Sequence, residues 1–266
     1  MKKLLALMLA LVMVFALAAC GEKAPAEEAE LAVSLELTSE EYGIGFRKGS
    51  DLTAAVNGYI AELAEDGTLA ALAEKYELAL SDFAPAEEEE ATVADLDYIK
   101  EKGKVVVGMT DYAPMNYKDE NDEWTGFDTE FALAVFEKIG VEVEFIEIDW
   151  DNKFVALESK AIDCIWNGMT ISEEVLKNTS CSVAYVKNAQ VVVMKADKAA
   201  EYKDAASMAE LSFAVESGSA GAAAANDNGF ENVVEVGTQT DALLEVKSGS
   251  CDACIIDLTM ANAMVK

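Results

Sequence analysis

Apolar residues in this chain fall into two recurring arrangements. Val105–Met109, Ile162–Trp166, Val191–Met194, Phe213–Val215 and Ala253–Ile256 are short runs with almost no polar alternation. Runs of that kind predict strands buried on both faces. Leu31–Leu35 is a further short strand by the same reading. Other stretches carry apolar residues at helical spacing. Leu52, Val56, Tyr59, Ile60 and Leu63 form a stripe behind Ser50, a good N-cap, and Asp66-Gly67 ends it. Thr68 restarts a helix with Leu69, Leu72, Ala73 and Tyr76, and Phe154, Leu157 and Ile162 share a helical face. Strands alternating with helices predict an α/β fold with sheets covered by helices.

Residues able to do chemistry gather where the strands end. Ile162–Trp166 runs into Asn167-Gly168-Met169-Thr170, read as a loop carrying an amide, a glycine and a hydroxyl. Open α/β sheets bind small ligands at that end of a strand. Asp111 and Tyr112 follow Val105–Met109. Phe213–Val215 leads through Glu216-Ser217-Gly218-Ser219-Ala220-Gly221, a strand, a tight turn and a helix N-terminus. The N–H groups of Ser219, Ala220 and Gly221 there face an anion, unless Ser219 simply caps the helix. Asp257 ends Ala253–Ile256 as an acceptor for a cation or as an N-cap.

Composition narrows the partners. The 266 residues are 52% hydrophobic, enough for one large or two modest cores. Fifty acidic and 20 basic residues give a formal charge of −30, which repels nucleic acid and anionic membrane and serves solubility. There is no histidine, so the commonest general base and metal ligand is missing. Met1-Lys2-Lys3 and apolar Leu4–Ala19 read as a secretory signal, too short for a comfortable membrane span. Glu22–Glu30 reads as a flexible tether. Cys251 and Cys254, three apart on a strand, face opposite sides and suit neither a bridge nor a metal. They and Cys164 and Cys181 are read as small core residues, with a Cys164–Cys181 disulfide left open.

Trp150, Ser159-Lys160-Ala161-Ile162-Asp163, Gly168-Met169-Thr170-Ile171-Ser172, Tyr185 and Gln190–Met194 together resemble the amino-acid-type solute-binding proteins of ABC importers, solute-binding family 3. The resemblance covers most of residues 31–266. It implies a two-lobe, periplasmic-binding-protein-like (type II) fold, each lobe a sheet flanked by helices, joined by two hinge crossings. It implies no cofactor, no metal and no catalysis, and an ABC permease as partner. Leu17-Ala18-Ala19-Cys20-Gly21 resembles a bacterial lipobox. That implies cleavage before Cys20, a lipid on its thiol, and a place on the extracellular face of the bacterial cytoplasmic membrane.

The chain order departs from the family. Glu41-Tyr42-Gly43-Ile44-Gly45-Phe46-Arg47-Lys48-Gly49 and the helices after it resemble the family's last segment, yet come first. Leu96–Gly108 resembles its mature start, and Phe83–Glu90, with four consecutive glutamates, reads as a linker. These features describe a circular permutant: signal 1–19, tether 20–30, lobe one from 41–84 and 95–188, acidic linker 85–94, and lobe two from 31–40 and 189–266. A piece of a tandem array is the alternative, and oligomeric state is open. The crossings are expected near Glu41–Tyr42 and Asn188–Ala189.

By resemblance, Asp111 sits at the cleft mouth with Tyr112 as an aromatic wall, and Trp150 stacks on the ligand. Asn167, Gly168 and Thr170 offer a carbonyl, an N–H and a hydroxyl. Ser217, Ser219 and Ala220 form the anion-facing turn, and Asp257 takes the ligand's ammonium. Val175 stands where the family has a carboxylate-binding arginine, and the single arginine, Arg47, matches a surface-strand position. Either the helix N-terminus and Thr170 hold the carboxylate alone, or the ligand lacks one. The leading function is therefore an importer's receptor for a small zwitterionic or cationic solute, an amino acid above all. A sensor uncoupled from transport is the second. A lyase or dehydratase using Asp111, Glu173, Glu174, Glu216 or Asp257 is the third.

Overall fold

The computed structural model describes residues 30–83 and 90–265. The expected signal 1–19, Cys20, the tether up to residue 29, residue 84 and residues 85–89 of the linker lie outside the described residues. The strands are β1 (Leu31–Arg47), β2 (Lys104–Met109), β3 (Tyr117–Lys118), β4 (Trp124–Thr125), β5 (Glu142–Glu147), β6 (Cys164–Thr170), β7 (Thr179–Cys181), β8 (Val186–Lys195), β9 (Phe213–Glu216), β10 (Val233–Val236) and β11 (Ala253–Asp257). One sheet runs β10-β9-β11-β8-β1-β6-β2-β5, with β7 added to β1, and β3-β4 form a small hairpin.

The short strand expected at Leu31–Leu35 is the start of a 17-residue strand. β1 pairs antiparallel with β8 from Leu31↔Lys195 to Tyr42↔Val186. Past Tyr42 it pairs with β6 and β7 instead. The two crossings are thus neighbouring, hydrogen-bonded strands, and the sheet is continuous from one lobe to the other. On one side lie β6, β2 and β5, which run parallel to one another. On the other lie β11, β9 and β10, also mutually parallel.

Helices cover both halves. Leu52, Val56, Ile60 and Leu63 of helix Leu52–Glu65 are buried with Phe127, Phe131 and Phe136 of helix Phe127–Ile139, over Val105, Val107 and Trp166. In the other half Phe213 and Phe230 stack with ring centroids 4.1 Å apart, against Val192, Met194, Met208 and Ile255. The first helix is preceded by Asp51 rather than Ser50 as N-cap, although Ser50 Oγ still accepts the Leu52 N–H at 3.3 Å. Asp51 turns its side chain to the Leu96 N–H at 2.8 Å. Cys164, Cys181, Cys251 and Cys254 are free thiols; Cys181 is half-buried and the others are buried.

Arg47 corrects the sequence reading most plainly. It is buried, not a surface residue. Its Nε donates to Asp95 at 2.9 and 3.1 Å, its Nη2 reaches Asp163 at 3.2 Å, and its Nη1 donates to the carbonyls of Leu157 and Ile162 at 3.2 and 2.8 Å. A guanidinium supplies five donors in one plane, which is why it can tie three segments together. Arg47→Met is expected to leave Asp95 and Asp163 under-compensated and to cost roughly 3–5 kcal/mol. Urea denaturation checks this; a loss below about 1 kcal/mol would mean the pair behaves like an exposed one.

Candidate ligand-binding cleft

A cleft of about 410 Å³ opens between the halves, where β1 and β8 cross. Its acidic end is built from the strand register. Glu40 is opposite Asn188, and Gln190 is opposite both Thr38 and Asp257. Residues two apart on a strand share a face, so Glu40, Tyr42, Asn188, Gln190 and Asp257 project together. Glu40 Oε1 accepts from Thr170 Oγ1 at 2.9 Å, Asn188 Nδ2 at 2.7 Å and Gln190 Nε2 at 2.8 Å. Asp257 Oδ1 accepts from Tyr42 OH and Gln190 Nε2, both at 2.8 Å, and from Asn188 Nδ2. Gln239 Nε2 donates to Asp257 Oδ2. Two carboxyls are therefore bridged by two shared amides. Burial first, then the charge of Glu40, push Asp257 well above the usual carboxylate range.

Of the expected site residues, Tyr112, Trp150, Asn167, Gly168, Thr170, Ser219, Ala220 and Asp257 line this cleft. Asp111 and Ser217 do not. Asp111 projects to the surface just past β2, and its pKa is raised by partial burial and by Glu147. Ser217 Oγ donates to Glu235 Oε2 at 2.9 Å. Asp257 stands at the N-cap position of the helix Leu258–Met264, but its side chain makes no capping bond there.

The expected loop at residues 167–170 is strand: β6 continues through Thr170. Its groups are largely spoken for. Asn167 Oδ1 accepts the Thr110 N–H and hydroxyl at 3.0 and 2.9 Å. The Gly168 N–H, expected to meet the ligand, donates to Asp128 Oδ2 at 2.6 Å. Asp128 is fully buried, which pushes its pKa up to about 7 against the opposing bonds from Gly168 and Tyr185. Gly168 has φ +55°, and a Cβ there would lie 2.7 Å from the Tyr112 ring, so the position requires glycine. Thr170 serves the acidic end through Glu40 and does not stand ready for a carboxylate. Tyr112 spans the cleft, its hydroxyl 2.5 Å from both Tyr42 OH and Thr259 Oγ1.

At the other end, the Ser219 N–H is used by the Glu216 carbonyl at 3.2 Å, and Ser219 Oγ caps the helix Ala220–Asp227 through the Ala222 N–H. Val175 is buried in the lining, apolar where the family resemblance expects a fork of donors. The basic side chain there is Lys153, 5% exposed. Its Nζ lies 5.1 Å over the Trp150 ring and donates to the carbonyls of Trp150 at 3.2 Å and Gly218 at 2.8 Å. Burial lowers its pKa. Against it the lining sets Glu40, Glu174, Glu216, Asp227 and Asp257. Among the described residues no group of His, Cys, Asp and Glu is arranged to hold a metal ion.

Sequence reading missed Glu40, Tyr42, Lys153, Asn188, Gln190 and Gln239. A signal existed for Asn188 and Gln190, polar residues at alternate positions entering an otherwise apolar strand. Gly218, at φ +67°, brings the two halves into contact: a Cβ there would lie 2.8 Å from Asp151 Cα. Gly218→Ala is expected to fold, losing about 1–2 kcal/mol to the left-handed backbone, and to hold the halves apart. Small-angle scattering should then give a larger radius of gyration than wild type; an unchanged value would show that the halves do not meet at this turn.

Comparison with known proteins places these features. The Arginine-binding extracellular protein ArtP of Bacillus subtilis is 32% identical over 174 residues, 62% of this chain and 65% of that protein. The L-cystine-binding protein TcyJ of Escherichia coli is 33% identical over 105 residues, 39% of this chain and 40% of that protein. The chain thus spans somewhat under two thirds and about two fifths of the lengths of these relatives. The solved structure of holo ArgBP from T. maritima superposes with a TM-score of 0.61 at 34% identity, covering 64% of this chain and 75% of that one. More distant relatives include an enzyme, the cyclohexadienyl dehydratase of Pseudomonas aeruginosa, 25% identical over 115 residues, 43% of each chain. The sequence pattern of the bacterial extracellular solute-binding proteins, family 3, matches residues 105–246, more than half of the chain, and the protein belongs to that family.

Proposed function

We propose that the protein is the lipid-anchored substrate-binding component of an ABC importer, capturing a small cationic or zwitterionic solute, such as an amino acid, between its two halves. The observation that carries this reading is the Glu40–Asp257 pair, bridged by Asn188 and Gln190 inside the cleft. Two carboxyls held this close repel when both ionise, and a cation relieves the repulsion. Thr170, Asn188, Gln190 and Gln239 fix the acceptors in advance, so a ligand's ammonium meets oriented oxygens. The arginine and cystine relatives support an amino acid as the class. The Cys20 lipobox supports anchoring, and membership in the family supports a permease partner. The cleft captures its solute and releases it unchanged.

A thermal-shift screen of the purified protein against the twenty amino acids and simple amines tests the reading. A solute at 100 times its Kd should stabilise by about 2.7 kcal/mol. Glu40→Gln keeps the side chain's size, removes its charge, and should weaken binding of any hit at least about tenfold. A hit insensitive to that change would remove the acidic pair from the site.

We infer further that the chain is circularly permuted, with residues 31–40 completing one lobe and 41–84 the other, as set out above. The pairing of β1 between β8 and β6, and of Arg47 with Asp95 just beyond the acidic stretch, supports this. In solution the protein should scatter as a two-lobed monomer at all concentrations. A concentration-dependent dimer would point instead to exchange of the first segment between chains.

A further inference from the structure

Two carboxyls in the cleft lining are almost fully buried, Asp257 at 4% and Glu216 at 3% exposure, and their surroundings differ. Asp257 receives four side-chain donors. Glu216 Oε1 is shielded from solvent and has no hydrogen-bond partner. The Thr110 side chain reaches the Glu216 carboxyl from the opposite half, and Lys153 acts on it at a distance while its own hydrogen bonds go to the Trp150 and Gly218 carbonyls. A buried acceptor left unpaired costs free energy unless something bound supplies the donor.

We propose that Glu216 contacts the bound solute and receives a second cationic group of it, so that the cleft selects solutes with two positive centres. One ammonium sits at the Glu40–Asp257 end, and an ammonium or guanidinium sits at Glu216. The proposal rests on the solute-binding reading above and narrows its ligand to basic amino acids and diamines. The balance of the lining, acidic Glu40, Glu174, Glu216, Asp227 and Asp257 against Lys153, points the same way. A solute with one ammonium, seated at the Glu40–Asp257 end, leaves the buried Glu216 Oε1 without a partner.

The proposal implies a proton balance. Burial, then the charge of Asp257, push the Glu216 carboxyl up to about 8, with Asp241 adding and Lys153 and Thr110 opposing. At pH 7 it holds its proton before the solute arrives. A cation beside it favours the carboxylate, so the proton leaves for solvent as the solute binds.

Isothermal titration of wild type and Glu216→Gln, in phosphate and in Tris at pH 7, tests this. The probes are L-arginine, L-lysine and putrescine against L-alanine and L-glutamine. Wild type should bind at least one of the first three, with buffer-dependent heat showing proton release. Glu216→Gln should weaken that binding at least about tenfold and release fewer protons. Arginine or lysine without putrescine assigns a basic amino acid; putrescine assigns a diamine; either supports the proposal. Preference for alanine or glutamine, or equal affinity in the variant, overturns it and leaves the solute-binding reading standing. Binding of none of the five counts against both. Should the variant fail to fold, wild type alone decides: a hit without proton release rejects the role of Glu216.

Discussion

The antiparallel pairing of β1 with β8 is the constraint on which the rest of the molecule depends. It joins the halves of the sheet, and its register decides what faces the cleft. With Glu40 opposite Asn188 and Gln190 opposite Asp257, three strands turn five polar side chains to one side. A slip of one residue would exchange faces, turning Glu40 and Tyr42 away from the cleft.

Around this pairing the protein holds acid groups in surroundings that ordinarily exclude them. Asp128, Glu216 and Asp257 are all buried, and burial raises the pKa of each. They are tolerated in different ways. Asp128 is fixed by the Gly168 N–H and the Tyr185 hydroxyl and supports the strand next to the cleft. Asp257 is surrounded by neutral donors from β1, β8 and the helix Gln239–Ser248. Neutral donors satisfy the oxygens of Asp257 without supplying a counter-charge, so it stays able to answer a cation in the cleft.

Much of the architecture was legible in the sequence. The uninterrupted apolar runs are strands and the stripe Leu52–Leu63 is a helix, because those patterns reflect burial that local spacing records. The site was legible in part. Trp150, Asn167, Gly168, Thr170 and Asp257 are in the cleft, but what their polar atoms do depends on residues far along the chain. Nothing near Gly168 announces that Asp128, 40 positions earlier, takes its N–H. Asn-Gly reads as a loop, and here it stays within a strand, its glycine crowded by the Tyr112 and Tyr42 rings. Arg47 carries no local mark of burial, since its partners Asp95 and Asp163 come from distant segments. Glu40 and Lys153 look like ordinary surface charges until the strand pairing and the close approach of Gly218 place them.

The side-by-side crossings also set where this protein can vary in length. A residue added in β1 ahead of Glu40 would shift the Glu40–Asn188 alignment, and one added in β8 between Asn188 and Gln190 would turn the side chains beyond it to the opposite face and shift β8 against both β1 and β11. A residue added in the exposed turn at 120–122 would disturb a two-stranded hairpin and little else. Insertions and deletions among natural variants should therefore avoid the crossing strands and accumulate in the outer turns, and a designed fusion would be placed in those turns for the same reason.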